Sequence, residues 1–250
     1  MSKKFSNLLI GFKWLVLVPL WVVVCFFLAQ IIVYGSGWLL SYLKVPIGSI
    51  NSSLMTTIAT TLSYVVALML IIGLPLIIKK RRTSQDDIAL TRLPTWTDIL
   101  LSPAAFIIYA ILSVILMFIF GKVFPSIDLT QAQDVGFQNL NQRYEFVFAF
   151  ISLVIMAPVA EEIIFRGYLF GKLRKHVPVW AAVLVVSAVF GALHGAWNIA
   201  VDTFALSIIL CLLRQYSGSL WASILLHMIK NSIAYYFLFI NPTILTTLIR

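Results

Sequence analysis

The chain has 250 residues, of which 61% are apolar and 11% are charged, and its mean hydropathy is +1.01. This composition excludes an ordinary soluble domain and is typical of a protein that crosses a membrane several times. The formal net charge of +9 does not indicate a nucleic-acid partner, because the basic residues cluster at the ends of apolar runs, where they report topology.

Apolar runs of roughly 20 residues, the length that a helix needs to cross a hydrocarbon core of about 30 Å, recur along the chain. They predict an all-α fold, a polytopic transmembrane helix bundle of about seven spans, with an eighth left open at the carboxyl end. Residues 1–142 are predicted to form an N-terminal three-span region, residues 143–240 a core of helices, and residues 241–250 an interfacial tail. The predicted spans cover residues 14–34, 54–78, 99–120, 146–170, 179–193, 199–213 and 220–238.

Basic residues lie at alternate ends of these spans. Lys3, Lys4 and Lys13 precede the first span, and similar clusters follow the second, fourth and sixth spans. Because lysine and arginine are retained in cytoplasmic loops, the clusters predict a cytoplasmic amino terminus. The chain is therefore expected to be a multi-pass protein of a cell membrane, with the lipid bilayer as its surroundings.

Ionisable side chains within the spans are concentrated in the C-terminal half of the chain. Such residues are costly in lipid, usually face a bundle interior or a water-filled cavity, and mark functional sites. Cys25 and Cys211 are predicted to be apolar packing residues, so neither a disulfide nor a cysteine metal cluster is expected. The polar residues within the later spans are Glu161, Glu162, Arg166, His194, Asn198, Asp202, His227, Lys230 and Asn231.

The segment APVAEEIIFRGYLF, residues 157–170, carries three of these groups. Glu162 and Arg166 are four residues apart, so on a helix they share a face and are predicted to form a supporting ion pair. Glu161 lies about 100° around the helix from Glu162 and is left without the arginine. An unpaired carboxyl group can act as a general base, and Pro158 is expected to open the helix nearby. The alternative is one buried polar cluster of all three groups.

Two of the three histidines lie inside predicted spans. Phe190 precedes His194 by one helical turn, and Asn231 follows His227 by one turn. A single histidine on an apolar helix is more often a packing residue, but two of them beside an unpaired carboxyl group indicate a site. His176 falls in a basic turn and is predicted to be solvated.

Helix geometry places these groups at overlapping depths. At a rise of 1.5 Å per residue, Glu161, His194 and His227 lie roughly 18, 22 and 12 Å from the cytoplasmic ends of their helices. They are predicted to surround one buried cavity that is reached from the cytoplasm. In it Glu161 is expected to deprotonate water and His194 to orient it, while His227 and the Asn231 amide donate to the oxyanion of the attacked carbonyl group.

Two further polar residues lie close to these positions in sequence. Lys230 is predicted to point away from the face that His227 and Asn231 share, and to reach the interface or pair with Asp202. Asn198, four residues after the first intramembrane histidine, is predicted to give structural support.

Taken together, the motifs resemble those of the CPBP intramembrane proteases, a family that includes type II CAAX prenyl endopeptidases and Abi-like bacterial proteins linked to bacteriocin self-immunity. The family pattern is EExxxR, FxxxH and HxxxN or HxxxD on successive membrane helices, and this chain has EEIIFR, FGALH and HMIKN in that order. The resemblance covers roughly residues 145–238. Each motif alone is weak, because four-residue spacings are common, but three in order are specific.

The resemblance implies an intramembrane endopeptidase of a bacterial plasma membrane, acting on a membrane-associated peptide or protein substrate. A role in bacteriocin self-immunity or peptide processing follows from the same family. By this resemblance the catalytic residues are Glu161, His194, His227 and Asn231, and Glu162 and Arg166 give structural support. Phe190, which belongs to the second motif, and Asn198, which repeats its four-residue spacing, are also expected to give structural support.

No cofactor is expected, and a metal-independent mechanism is favoured over zinc. A carboxylate with two histidines can bind zinc, but the chain has no HExxH motif, and the Asn231 amide suits an oxyanion hole better than a zinc site. Two other functions stay open: a non-catalytic immunity or binding protein on the same scaffold, and a transporter or proton relay. The transporter is disfavoured because no broken-helix repeat is seen in both halves.

Overall fold

The computed structural model of the protein describes residues 3–79, 83, 85–129, 131, 136–137 and 140–242. Within these ranges the chain is helical and contains no strand, which confirms the predicted all-α class. The predicted interfacial tail lies outside the described residues from position 243 onward, as does any eighth span at that end.

The described part of the chain forms eight continuous helices and one 3₁₀ turn, Ile47–Ser49. Several helices contain π-helical segments, in which the backbone is wider than in an α-helix. These segments are Met69–Gly73, Ile151–Met156, Ile163–Leu169 and Tyr236–Ile240. The helices are α1 (Lys3–Tyr42), α2 (Ser52–Ile78), α3 (Gln85–Ile88), α4 (Trp96–Val123), α5 (Arg143–Leu173), α6 (Val179–Ala192), α7 (Trp197–Ser217) and α8 (Trp221–Ile240).

Six of these helices are long and apolar enough to cross a membrane, and they correspond to six of the seven predicted spans. The remaining predicted span, 179–193, forms α6, which has 14 residues and is therefore only about 21 Å long. A turn through His194 follows it, with Gly195 at a φ of +80°, which glycine adopts without strain. Because α6 is shorter than a hydrocarbon core of about 30 Å, this turn stays at membrane depth.

Helix α5 carries the segment with the two glutamates, and its middle is irregular. An α-helical stretch, Ala157–Glu162, lies between the π-helical segments Ile151–Met156 and Ile163–Leu169. Pro158 has no amide hydrogen and its ring crowds the carbonyl group four residues earlier, so a wider turn just before it relieves the helix. The local opening expected at Pro158 is present.

The C-terminal helices pack around α7, which contacts α4, α6 and α8. The approach of α6 to α7 depends on Gly191, where a Cβ atom would lie 2.6 Å from the Ala200 carbonyl oxygen. Phe190, beside this glycine, is fully buried together with Ile164 and Leu169 of α5. The turn after α6 is thereby fixed against α7 and α5.

The bundle has two chemically different ends. At the basic end, defined by Lys13, Trp14 and His176, the indole and imidazole rings stack with 3.8 Å between their centroids. At the loop end, defined by Asn51 and Glu145, the Asn51 amide donates to the Glu145 carboxylate over 2.8 Å. The positive-inside rule assigns the basic end to the cytoplasm.

Candidate active site

Helices α1, α2, α5, α7 and α8, with the turn after α6, enclose a cavity of about 580 Å³. The structure brings all four residues predicted to be catalytic to its wall: Glu161 from α5, His194 from the turn, and His227 and Asn231 from α8. A carboxylate, two imidazoles and an amide thus share one buried space within the membrane-spanning part of the protein.

The Glu161 carboxylate has two partners. Its Oε1 accepts a hydrogen bond from the Tyr64 hydroxyl group, and its Oε2 lies 3.7 Å from His227 Nε2. Helical spacing correctly left Glu161 without the arginine, but the prediction of an unpaired carboxyl group was wrong. The partners come from α2 and α8, and spacing along α5 carries no information about them.

Tyr64 is the site residue that the sequence did not predict. It lies on α2, 97 residues before Glu161, and its ring centroid is 6.3 Å from that of Phe26 on α1. The available signal was its position, because tyrosines of membrane helices concentrate at the interfaces and Tyr64 lies near the middle of its span.

Glu162 is fully buried, and one of its carboxylate oxygens contacts two side chains. Its Oε1 accepts from Arg166 Nη1 over 2.8 Å, so the predicted ion pair is confirmed. The same oxygen is 2.9 Å from His227 Nδ1. His227 therefore links Glu161 and Glu162, which helical spacing had assigned to different roles. The EEIIFR and HMIKN motifs thus form one network of contacts.

His194 has a defined orientation. Its Nδ1 lies 2.7 Å from the Phe190 carbonyl oxygen, which can only accept, so Nδ1 carries the hydrogen and Nε2 the lone pair when the ring is neutral. The Phe190 ring lies beside both histidines, with centroid distances of 4.7 Å to His194 and 5.9 Å to His227. It also lies 4.3 Å from the Arg166 guanidinium carbon. Phe190 thus packs against the guanidinium group of the ion pair and against both imidazole rings.

The two asparagines have different positions. The Asn231 Nδ2 donates to the Leu153 carbonyl oxygen over 2.9 Å and lines the cavity, and its amide nitrogen has a second hydrogen to donate. The Asn198 amide instead donates to the Gln131 carbonyl oxygen over 2.9 Å, and it does not line the cavity. The structure therefore does not bring Asn198 into the site; it ties α7 to the loop before α5.

Lys230 lines the same cavity as the catalytic candidates. The predicted pair with Asp202 is confirmed, with 3.6 Å between Lys230 Nζ and Asp202 Oδ2. The prediction that Lys230 points away was wrong, because a residue three positions after His227 lies on the same helix face. Asp202 also accepts hydrogen bonds from Tyr109 and Ser113, over 2.7 and 2.6 Å.

The cavity runs from the reacting groups towards the loop end. Its wall on α8 extends from His227 to Leu238, about 16 Å at 1.5 Å per residue, and on α1 it reaches Tyr34. On the basic side the lining of α5 ends at Phe165, whose ring packs against the buried ring of Phe190 with 4.9 Å between centroids. The lining therefore favours access from the loop end over the predicted access from the cytoplasm. Depths counted along single helices do not reveal which side the neighbouring aromatic rings block.

Several side-chain atoms that could bind a metal ion already contact other groups of the protein. One His227 nitrogen contacts Glu162 and the other faces Glu161, while His194 Nδ1 contacts a backbone carbonyl group. Within the described ranges, no group of three histidine, cysteine, aspartate or glutamate side chains is arranged to hold a metal ion. The arrangement offers a carboxylate base, an imidazole lone pair, and N–H donors from an imidazole and an amide.

Comparison with protein families matches residues 143–233 to the family model described as type II CAAX prenyl endopeptidase Rce1-like. This range holds α5, α6, α7 and most of α8, and with them the four catalytic candidates. No curated protein and no solved structure matches the chain. The matched family is a family of proteases, and the six apolar spans make this a multi-pass membrane protein. Residues 143–233 are therefore similar to the CAAX protease family, in agreement with the resemblance of the motifs to the CPBP proteases.

Proposed function

We propose that this protein is an intramembrane endopeptidase that hydrolyses a membrane-associated peptide or protein substrate by means of a glutamate-activated water. The observation that carries the proposal is the convergence of Glu161, His194, His227 and Asn231 on one cavity. These residues come from three separate motifs, yet all of them line the same cavity. Packing of the helices alone does not require this arrangement.

In the proposed reaction Glu161 accepts a proton from a water molecule that hydrogen-bonds to His194 Nε2. The water oxygen forms a bond to the scissile carbonyl carbon, and the carbonyl π electrons move onto its oxygen. His227 and the Asn231 amide donate hydrogen bonds to that oxyanion. When the C–N bond breaks, Glu161 passes its proton to the leaving nitrogen, which gives one carboxyl and one amine product.

The role of His227 depends on Glu162. Because Nδ1 contacts Glu162 Oε1, Nε2 has a hydrogen to donate only when the ring carries both protons. A cationic His227 and Arg166 balance the charges of Glu161 and Glu162, so the buried network is neutral as a whole. A neutral network is the favourable state in a medium of low dielectric constant.

The proposal is tested by reconstituting the wild type and Glu161→Gln in liposomes with a library of transmembrane peptides, and by measuring cleavage products with mass spectrometry. Loss of the general base is expected to slow cleavage about 10²-fold to 10⁴-fold. Glu145→Gln, the same change on the same helix outside the cavity, is the matched control and is expected to retain activity. Undiminished cleavage by Glu161→Gln would refute the mechanism.

The reaction is proposed to need no metal. The contact of His227 Nδ1 with Glu162 supports this, as does the lack of three suitably arranged metal ligands among the described residues. Full activity is expected after treatment with a strong chelator. Loss of activity that added zinc restores would contradict it.

A bacterial plasma membrane is the proposed location, with bacteriocin self-immunity or peptide processing as the proposed role. Since the cavity extends away from the basic end, the substrate is proposed to present its scissile bond from the non-cytoplasmic side. In cells, Glu161→Gln is expected to abolish protection against a bacteriocin. Full protection by this variant would instead favour a non-catalytic binding protein on the same scaffold.

A further inference from the structure

A second cavity, of about 470 Å³, lies at the basic end between α1, the end of α2 and the end of α5. It shares no lining residue with the cavity that holds Glu161. Its wall contains two lysines, Lys13 and Lys172, and three large aromatic side chains, Trp14, Trp21 and Tyr168.

The wall has a polar end and an apolar end. On α1 the lining begins at Lys13 and continues through Leu17 to Trp21, about 12 Å deeper at 1.5 Å per residue. Helix α5 runs in the opposite direction, so Lys172 lies at the same end as Lys13 and Tyr168 lies one turn deeper. The Lys172 Nζ is 5.0 Å from the centroid of the Tyr168 ring, which fixes the charge at the cavity wall.

The local electrostatics favour an anion. No acidic side chain is found among the described residues that line this cavity. At its edge, His176 stacks on Trp14, and partial burial, followed by the nearby Lys175 and Lys172, lowers the pKa of His176. The attraction for an anion therefore comes from Lys13 and Lys172 in the described wall.

We propose that this cavity binds an anionic glycerophospholipid, with the phosphate between Lys13 and Lys172 and an acyl chain along the apolar wall. Basic pockets between membrane helices at the cytoplasmic surface suit anionic headgroups, and tryptophan and tyrosine suit the interface. A free phosphate ion would contact the two lysines but would leave the apolar wall from Leu17 to Trp21 without a ligand.

The lipid would join helices that also build the catalytic cavity. Trp21 donates from its indole nitrogen to the Ile71 carbonyl oxygen over 3.2 Å, which ties α1 to α2. Tyr168 belongs to the π-helical segment Ile163–Leu169 that follows the two glutamates on α5. Bound lipid is therefore expected to raise the thermal stability of the whole bundle. Lipid binding itself does not depend on the proposed protease activity.

The test uses the full-length protein in a neutral detergent and measures the melting temperature during titration with phosphatidylglycerol, phosphatidylcholine or inorganic phosphate. Phosphatidylglycerol alone is expected to raise the melting temperature. In Lys13→Gln/Lys172→Gln its affinity is expected to fall roughly 30-fold, because each lysine contributes about 1 kcal/mol to anionic lipid binding. The matched control, Lys44→Gln/Lys122→Gln, removes two lysines outside this cavity and is expected to respond as the wild type does.

A second variant keeps the proposal testable if Lys13→Gln/Lys172→Gln does not fold. Leu17→Trp puts a larger side chain at the apolar wall without changing the charge of the cavity. It is expected to abolish the rise in melting temperature caused by phosphatidylglycerol. An equal response to inorganic phosphate would reduce the site to an anion site and refute the lipid proposal. An equal response to phosphatidylcholine, or an unchanged response in both variants, would refute it as well.

Discussion

At the scale of single residues, His227 determines how the site is organised. One of its nitrogens contacts Glu162 and the other faces Glu161, so it connects the supporting ion pair to the candidate base. Through Glu162 Oε1, His227 is also linked to Arg166, which does not line the cavity.

The contact between Glu162 and His227 gives the first prediction. In Glu162→Met the buried Arg166 loses its partner, which is expected to destabilise the protein by about 3–5 kcal/mol. In Glu162→Met/Arg166→Met most of this stability is expected to return, since an apolar pair of similar volume replaces the ion pair. Cleavage by the double variant is expected to stay at least about tenfold below the wild type, because His227 still lacks its charged acceptor.

Melting temperature and cleavage rate, measured on the same preparations, separate the two roles. If the double variant recovers both stability and activity, Glu162 serves the fold alone and does not position His227.

Tyr64 gives the second prediction. Tyr64→Phe removes the hydroxyl group that donates to Glu161, and a hydrogen bond to a charged group contributes about 1.5–3 kcal/mol. We expect kcat/KM to fall at least about tenfold, since the Glu161 carboxylate loses the hydrogen bond that orients it. Tyr42→Phe, an exposed tyrosine outside the cavity, is the control. A kcat/KM equal to that of the wild type would show that Tyr64 is only a packing residue.

At the scale of elements, α6 and the π-helical segments of α5 place the site at membrane depth. α6 ends after 14 residues, so the turn with His194 lies inside the bundle rather than at its surface. The wide turns of α5 flank the short stretch that carries both glutamates. Irregular backbone of this kind is tolerated in membranes where it lines a cavity.

Gly191 gives the third prediction. Gly191→Ala places a methyl group against the Ala200 carbonyl oxygen, so α6 and α7 must separate. Overpacking of this kind is expected to cost about 1–3 kcal/mol of stability and to displace His194, with a loss of activity. Gly35→Ala is the control, because nothing lies within 4 Å of its added Cβ atom. A Gly191→Ala protein as stable as Gly35→Ala would contradict the close packing.

At the scale of the whole molecule, the two ends of the bundle serve different purposes. The catalytic cavity extends to the loop end, while the second cavity lies at the basic end. Together with the positive-inside rule, this places the proposed hydrolysis and the proposed lipid binding at opposite faces of the membrane.

Cysteine labelling in intact cells gives the fourth prediction. The natural cysteines, Cys25 and Cys211, are both buried, so the wild type is expected to react weakly with a membrane-impermeant maleimide. Tyr34→Cys at the mouth of the catalytic cavity is expected to be labelled from outside. Lys13→Cys is expected to need permeabilised cells. The reverse pattern would overturn the assigned orientation.

The sequence by itself determined the membrane class, most helix positions, the Glu162–Arg166 pair and the four catalytic candidates, which all line the cavity. These follow from hydrophobic run length and from four-residue spacing within single helices, both of which are local properties. Only the tertiary structure decided which groups meet between helices: Tyr64 with Glu161, His227 with both glutamates, and Lys230 on the cavity wall. It also decided the direction of the cavity, because that depends on which side the rings of Phe165 and Phe190 fill. Spacing along one helix does not encode contacts made across several.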